Sequence, residues 1–110
     1  MSRQKQKGSR WETAIRDYLQ DEGFRVYRQP AHGTVDKGDL HIGDSIVVEA
    51  KNHARHNLSG WLDEATVETA NAGLDAGVVW FHRAGRSKPA DGYVLMDGRT
   101  FTYLLRERGV

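Results

Sequence analysis

The first clear pattern in the chain is a helical spacing of apolar residues near its N-terminus. Ser9 precedes the pattern and Glu12 follows three residues later, which is the spacing of a capping box at a helix N-terminus. Gly23 comes after the pattern, as expected at a helix C-terminus. We therefore predict an amphipathic helix that begins at Ser9 and ends at Gly23. Its apolar stripe comprises Trp11, Ala14, Ile15, Tyr18 and Leu19.

Short apolar segments farther along the chain predict five β-strands. The first segment, at positions 24–28, alternates apolar and basic residues well enough for a strand. A loop over positions 29–38, which contains Pro30, Gly33 and Gly38, separates the first strand from the second. A continuous apolar run after Gly77 is typical of a central strand that is covered on both faces. The predicted strands lie at positions 24–28, 39–42, 46–51, 78–81 and 93–96.

Two more helices are predicted in the second half of the chain. Ser59 is the expected N-cap of a helix that runs to about Ala76. A short final helix begins at Thr100. The residues expected to face inward are Leu62, Ala65, Thr69, Ala72 and Ala76 in the earlier helix, and Phe101, Leu104 and Leu105 in the final one.

These elements define the expected fold class. Their order is α-β-β-β-α-β-β-α, and the helix between the third and fourth strands implies an α/β fold with a mixed β-sheet flanked by helices. Residues 1–8 have no apolar periodicity and are predicted to form a flexible basic arm. Residues 9–110 are long enough for a single domain with its own core.

The apolar pattern also predicts the register of the strand pair 39–42 and 46–51. A two-residue loop would place Asp39 opposite Val48, so that it faced away from Glu49. A three-residue loop, or a bulge, would place Asp39 opposite Glu49 instead. The second register gathers Leu40, Ile42, Ile46 and Val48 on one buried face, so we predict it. The opposite face then carries Asp39, His41, Glu49 and Lys51.

Two carboxylates beside a lysine suit the hydrolysis of a phosphodiester with the help of a metal. Mg²⁺ prefers oxygen ligands, and a lysine can stabilise the charge that develops on a phosphate. Two other interpretations are open at this point. Glu49 and Lys51 could form a plain salt bridge, and Asp36 in the preceding loop is an alternative to Asp39.

Composition narrows the class of protein and leaves the function open. The 110 residues include 38% hydrophobic and 28% charged residues, as in an ordinary folded domain. Because cysteine is absent, neither disulfides nor thiolate metal sites can form, and we expect a cytoplasmic protein. No apolar run is as long as a membrane helix requires.

The net charge of +1 hides an uneven distribution of basic residues. Such residues hold the phosphates of nucleic acids, although a solvated protein surface can carry the same clusters. We expect DNA contacts from Arg3, Lys5, Lys7, Arg10, His53, Arg55, Arg83, Arg86 and Lys88.

Four short motifs, in this order, resemble the PD-(D/E)xK nucleases. They are Gly8-Ser9-Arg10-Trp11-Glu12, Gly23-Phe24-Arg25-Val26, Gly38-Asp39-Leu40 and Val48-Glu49-Ala50-Lys51. Within that superfamily the chain is most similar to small Holliday junction resolvases of archaeal type and their phage-encoded relatives. The similarity covers roughly residues 8–82 and implies a restriction-endonuclease-like core. The residue before Asp39 is Gly38, where the family pattern has proline.

The resemblance implies an activity, a cofactor and a set of site residues. The activity would be Mg²⁺-dependent cleavage of DNA, with Mn²⁺ as a substitute, in DNA recombination and repair. Asp39, Glu49 and the carbonyl of Ala50 would bind the metal, Lys51 would be the catalytic lysine, and Glu12 would complete the site. A resolvase cuts two strands symmetrically, so we expect a homodimer on a four-way junction. A phage-encoded protein would act in the host cytoplasm.

Several alternatives stay open on the sequence. The substrate could instead be flaps, ends or duplex DNA, or the chain could be a non-catalytic DNA-binding module on the same fold. Glu12 could cap its helix, assist catalysis, or do both. The dimer contact could involve the second predicted helix or the final strand and helix.

Overall fold

The computed structural model describes residues 3–30 and 35–110, which form a five-stranded sheet with three α-helices. The α/β class and the element order α-β-β-β-α-β-β-α are confirmed, as expected of a restriction-endonuclease-like core. No helix in these two ranges is both long and apolar enough to cross a membrane. In chain order the elements are α1 (Arg3–Asp21), β1 (Val26–Arg28), β2 (Leu40–Ile42), β3 (Ile46–Lys51), α2 (Leu58–Ala72), β4 (Ala76–Phe81), a single 3₁₀ turn (Pro89–Asp91), β5 (Tyr93–Leu95) and α3 (Gly98–Arg108).

The sheet has the spatial order β1-β2-β3-β4-β5 and is mixed. Strands β3 and β4 are parallel because α2 connects them, whereas every other neighbouring pair is antiparallel. Helix α1 packs on one face through Trp11, Ile15 and Leu19. Helix α2 packs on the other face through Trp61 and Ala65. The central strands are therefore covered on both sides, as their apolar sequences predict.

The predicted start of the first helix at Ser9 is wrong, because α1 begins at Arg3. Residues 3–8 thus belong to the helix, which corrects the prediction of a flexible arm over that stretch; positions 1–2 lie outside the described residues. The added turns contain Arg, Gln and Lys, which favour helices without forming an apolar stripe. Ser9 is an interior residue of α1, so it does not form the predicted capping box with Glu12.

The boundaries of the other two helices also differ from the prediction. Asn57, not Ser59, caps α2 by accepting a hydrogen bond from the Gly60 N–H at 3.2 Å. The helix ends at Gly73, whose positive φ of 69° is easily adopted by glycine, and Ala76 already belongs to β4. Helix α3 begins at Gly98, two residues earlier than predicted, and Asp97 caps it, with its carboxylate accepting from the Thr100 N–H at 2.8 Å.

The predicted register of β2 and β3 is confirmed. Leu40 pairs with Val48 and Ile42 pairs with Ile46, so residues 43–45 form a three-residue loop. The backbone N–H of Asp39 donates to the Val48 carbonyl at 3.2 Å and continues this pairing beyond the end of β2. Asp39 is therefore carried to the position opposite Glu49.

Glycine before Asp39 has a structural reason. Gly38 has a φ of +90°, a value that proline cannot adopt because its ring holds φ near about −65°. A side chain at this position would also collide with Val47 in β3. The departure from the family pattern therefore comes with a tight approach of the 35–38 segment to the sheet.

The expectation that α3 buries its apolar residues is wrong within a single chain. No residue of α3 is buried; Phe101 is 53% exposed and Leu105 is 37% exposed. Tyr93 and Val94 of the neighbouring strand β5 are exposed to a similar extent. We call these four residues the C-terminal apolar group. Helix α3 lies after an edge strand, where the core offers little surface against which it could pack.

Candidate active site

Glu49 and Lys51 lie at the C-terminal end of β3 and face helix α2. Side chains alternate along a strand, so both residues point to the face on which Val79 and Phe81 of β4 pack against α2. Glu49 is only 6% exposed. A carboxyl group is thus held in the interior at the end of a central strand, where it needs charged or polar partners.

Asp39 joins Glu49 on this face, as the register predicts. Its Oδ2 accepts a hydrogen bond from the backbone N–H of Ala50 at 2.8 Å, which fixes the carboxyl group beside β3. Burial raises the pKa of Asp39, while hydrogen bonds with Glu49 and Ala50 partly offset that effect. The two carboxyl groups therefore adjoin each other at the ends of neighbouring strands.

Lys51 forms ion pairs with a strand residue and with a helix residue. Its Nζ lies 3.7 Å from Glu49 Oε1 and 2.6 Å from Glu64 Oε1 of α2. Burial alone would lower the pKa of Lys51, but the hydrogen bond with Glu64 and the charges of Glu49 and Asp39 raise it overall. Lys51 therefore stays protonated at neutral pH, next to both carboxyl groups.

Two acidic residues of α2 complete the site, and the sequence analysis did not assign them to it. Glu64 and Glu68 are one helical turn apart. One carboxylate oxygen from each of Glu49, Glu64 and Glu68 lies within 4.8 Å of the other two. Glu68 is 2% exposed. Its position, three residues after Ala65 on the inner side of α2, was the available signal: a carboxylate on a buried helical stripe requires an explanation.

Glu49 and Glu68 face each other with unsatisfied oxygens. Within the described part of the chain, Glu49 Oε2 and both carboxylate oxygens of Glu68 are buried and have no hydrogen-bond donor. Two facing carboxyl groups can form a hydrogen bond only if one of them is protonated. Burial is the main cause that raises the pKa of Glu49, assisted by Glu68 and Asp39. Burial also raises the pKa of Glu68, to about 7.

Glu12 approaches the site from helix α1. Arg28 Nε donates to its Oε1 at 2.8 Å, and the same guanidinium contacts Thr13 Oγ1 at 2.9 Å and Ser9 Oγ at 3.1 Å. Burial raises the pKa of Glu12, and the charge of Asp39 raises it further. The capping interpretation of Glu12 is therefore wrong, whereas its catalytic role stays a prediction.

Asp36 and His41 each have a local partner, and Asp36 also helps to raise the pKa of Glu68. Asp36 Oδ1 accepts from the Gly38 N–H at 3.0 Å, so its carboxylate closes a turn just before Asp39. His41 Nε2 lies 2.7 Å from the Lys37 carbonyl oxygen, which ties its ring to the same loop. The pairing with β3 thus extends to Asp39 and not to Asp36.

Only part of the predicted DNA-binding set converges. Lys7 and Arg10 of α1 line a cleft of about 200 Å³ together with Asn52, His82 and Ser87, which follow β3 and β4. Arg83 instead lies over the Tyr93 ring, 5.4 Å from its centroid, and the His53 ring is 5.8 Å from that of Trp61. Arg83 and Arg86 form a β-bridge around a tight turn. The exposed members of the set are Arg3, Lys5, Arg10, His53, Arg55, Arg86 and Lys88.

No protein-family model matches the chain, and no curated protein is similar enough to count as a match.

Proposed function

We propose that this chain is a metal-dependent DNA endonuclease of the PD-(D/E)xK type. The observation that carries the proposal is the pairing of β2 with β3, which brings Asp39 beside Glu49 with Lys51 on the same face. A protein that only bound DNA would gain nothing from buried carboxyl groups near the phosphates, since they repel the ligand. A hydrolase would use them to hold a cation.

The residues present fit a divalent cation. Glu49 has a buried oxygen without a donor, and such an atom is normally satisfied by a hydrogen bond or an ion. Asp39, Glu49 and the Ala50 carbonyl would hold Mg²⁺, and Mn²⁺ would use the same oxygen ligands. A bound divalent cation supplies polarisation of a phosphoryl oxygen and a lowered pKa of a coordinated water.

Lys51 and Glu12 would assist this chemistry from two sides. The ammonium of Lys51 would stabilise negative charge on the scissile phosphate, and its ion pair with Glu64 holds it in place for that task. Glu12 would act next to Asp39, where Arg28 fixes its carboxylate.

The DNA backbone would enter the cleft between α1 and the ends of β3 and β4. Lys7 and Arg10 would contact phosphates there, and Asn52 of the same cleft directly follows Lys51 in the chain. The exposed basic residues at Arg3, Arg55 and Lys88 would extend this contact.

We propose a four-way junction as the substrate and a homodimer as the working form. Both rest on the resemblance of the motifs to Holliday junction resolvases, because symmetrical cutting requires two active sites related by a two-fold axis. The protein would act in the cytoplasm. Cleavage of flaps, ends or duplex DNA by the same residues is the second candidate.

The experiment that tests the proposal is cleavage of a synthetic four-way junction beside a linear duplex and a flap. Each substrate is incubated with Mg²⁺, Mn²⁺, Ca²⁺ or EDTA. We expect paired incisions in the junction with Mg²⁺ or Mn²⁺ and none with EDTA. Equal cutting of all three substrates would reject the junction preference. Tight binding without any cleavage would favour a non-catalytic DNA-binding module.

A further inference from the structure

The proposed function leaves Glu68 of α2 without a role and gives Glu64 only the task of holding Lys51. Glu64 and Glu68 project toward Glu49 from the helix that covers the sheet. The first cation proposed above needs Asp39 and Glu49 from the strands, so it does not account for a second group of carboxyl oxygens on the helix side.

Glu68 is the member of this pair that most requires a ligand. It is 98% buried by its exposed fraction of 2%, and neither of its carboxylate oxygens has a donor among the described residues. Glu49 Oε2 is also buried and has no hydrogen-bond donor among the described residues. Buried ionised groups persist in proteins when they are paired or coordinate a metal. A carboxylate oxygen of Glu68 lies in the same small cluster as one of Glu49 and one of Glu64.

Lys51 does not balance the charge of the cluster. Its salt bridges reach Glu49 and Glu64, at 3.7 Å and 2.6 Å, and leave Glu68 without one. With Asp36 and Asp39 included, the described part of the cluster has five carboxyl groups and a single ammonium group. If all of them are ionised, one divalent cation still leaves the group negative.

We propose that Glu49, Glu64 and Glu68 form a second divalent-cation site, which shares Glu49 with the site proposed at Asp39. The oxygen ligands select hard cations such as Mg²⁺, Mn²⁺ or Ca²⁺. The proposal rests on the proposed function for the first cation only. The second site itself depends on the placement of α2 over the end of β3.

Cation binding without DNA tests this proposal. Protein stripped with EDTA is titrated with Mn²⁺, and free Mn²⁺ is followed by electron paramagnetic resonance. We expect two bound Mn²⁺ per chain in the wild type and one in Glu68→Gln, with the lost site weakened at least about tenfold. Asp63→Asn is the matched control, because it removes an exposed carboxylate from the same helix and should leave both sites intact.

Asp39→Asn separates this inference from the proposed function. It should also retain one Mn²⁺, held by Glu49, Glu64 and Glu68. A wild type that binds one Mn²⁺, lost in Asp39→Asn and kept in Glu68→Gln, would overturn the second site and leave the nuclease proposal standing. A wild type that binds one Mn²⁺, kept in Asp39→Asn and lost in Glu68→Gln, would support the second site and contradict the first.

Thermal unfolding provides a second readout. Without cations at pH 8, Glu68→Gln should melt at a higher temperature than the wild type, because a neutral amide replaces a buried ionised carboxylate. Mn²⁺ should then raise its melting temperature less than it raises that of the wild type. An unchanged Mn²⁺ effect would contradict the proposal. If Glu68→Gln does not fold, Glu64→Gln tests the same site from a more exposed position.

Discussion

The carboxyl group of Asp39 is positioned by a backbone hydrogen bond, whereas its chemistry depends on its charge. The Ala50 N–H donates to Oδ2 at 2.8 Å, and an asparagine oxygen could accept the same bond. Substitution of Asp39 by asparagine should therefore preserve the local geometry and remove a proposed metal ligand. The Asp39→Asn variant therefore tests the charge of this side chain while its shape and hydrogen bond are kept.

We expect Asp39→Asn to lower the single-turnover cleavage rate by at least about 100-fold, a loss typical of a group that stabilises the transition state. DNA binding, measured by mobility shift in Ca²⁺, should be unchanged or tighter, because an anion facing phosphate is removed. Asp44→Asn, in the exposed hairpin loop, is the control and should cut normally. Full cleavage by Asp39→Asn would mean that Asp39 does not hold the catalytic cation.

Glu68 predicts an unusual pH dependence of stability. Burial raises its pKa to about 7, so the folded state binds this proton more tightly than the unfolded state does. Without divalent cations, the free energy of unfolding should be highest near pH 4.5 and fall as the pH rises toward 7. The contribution of this one group is at most about 3 kcal/mol.

Urea unfolding in EDTA at pH 5 and pH 8 measures this effect. The wild type should be less stable at pH 8, and Glu68→Gln should reduce the difference; the remainder comes from the raised pKa values of Glu49, Asp39 and Glu12. Asp63→Asn should keep it, because Asp63 is exposed on the same helix. An equal change in stability between pH 5 and pH 8 in the wild type and in Glu68→Gln would show that Glu68 is ionised at no cost in the fold.

At the scale of elements, the register of β2 and β3 could be predicted from the sequence and the position of α2 over the site could not. Alternation of Leu40, Ile42, Ile46 and Val48 leaves one register with a continuous buried face, so local pattern suffices. Glu68 becomes a site residue only through a crossover that folds α2 back onto β3. That contact is tertiary, and no spacing within the helix encodes its partner.

The ends of the helices were predicted least accurately, because apolar periodicity does not detect polar helical turns. The first turns of α1 are polar and lack an apolar stripe, so periodicity did not detect them. The consequence is functional, since Lys7 belongs to α1 and lies with Arg10 along the cleft. In a flexible arm Lys7 would have no fixed position. In the helix, Lys7 and Arg10 both lie beside the end of β3.

This alignment predicts a salt-dependent contribution to DNA binding. The double change Lys7→Gln and Arg10→Gln should weaken binding similarly for all DNA sequences and reduce the slope of log K against log salt by about two. Glutamine keeps the helix propensity, so the fold should persist. Arg99→Gln with Arg106→Gln removes two charges from α3 and is the matched control. An equal loss in both double variants would indicate a general charge effect and no specific cleft contact.

At the scale of the whole molecule, the sheet has a helix on each face and little core left for α3. The C-terminal apolar group, Tyr93, Val94, Phe101 and Leu105, is exposed as a result. Symmetrical cutting of a junction requires two copies of the site, and exposed apolar residues favour protein contacts. The final strand and helix are therefore favoured over α2 as the dimer contact.

Phe101→Glu should convert the dimer to a monomer, because a charge would replace a 53% exposed aromatic side chain within the buried contact. Val67→Glu is the matched control, since Val67 is 59% exposed on α2 and tests the competing surface. Light scattering after size exclusion at several concentrations measures the mass of each. Loss of the dimer in Val67→Glu alone would show that the contact involves α2. A monomeric wild type would contradict the proposed homodimer. In the monomeric variant we expect single incisions in a four-way junction to persist while the paired incisions become uncoupled, because each chain keeps its own Asp39, Glu49 and Lys51.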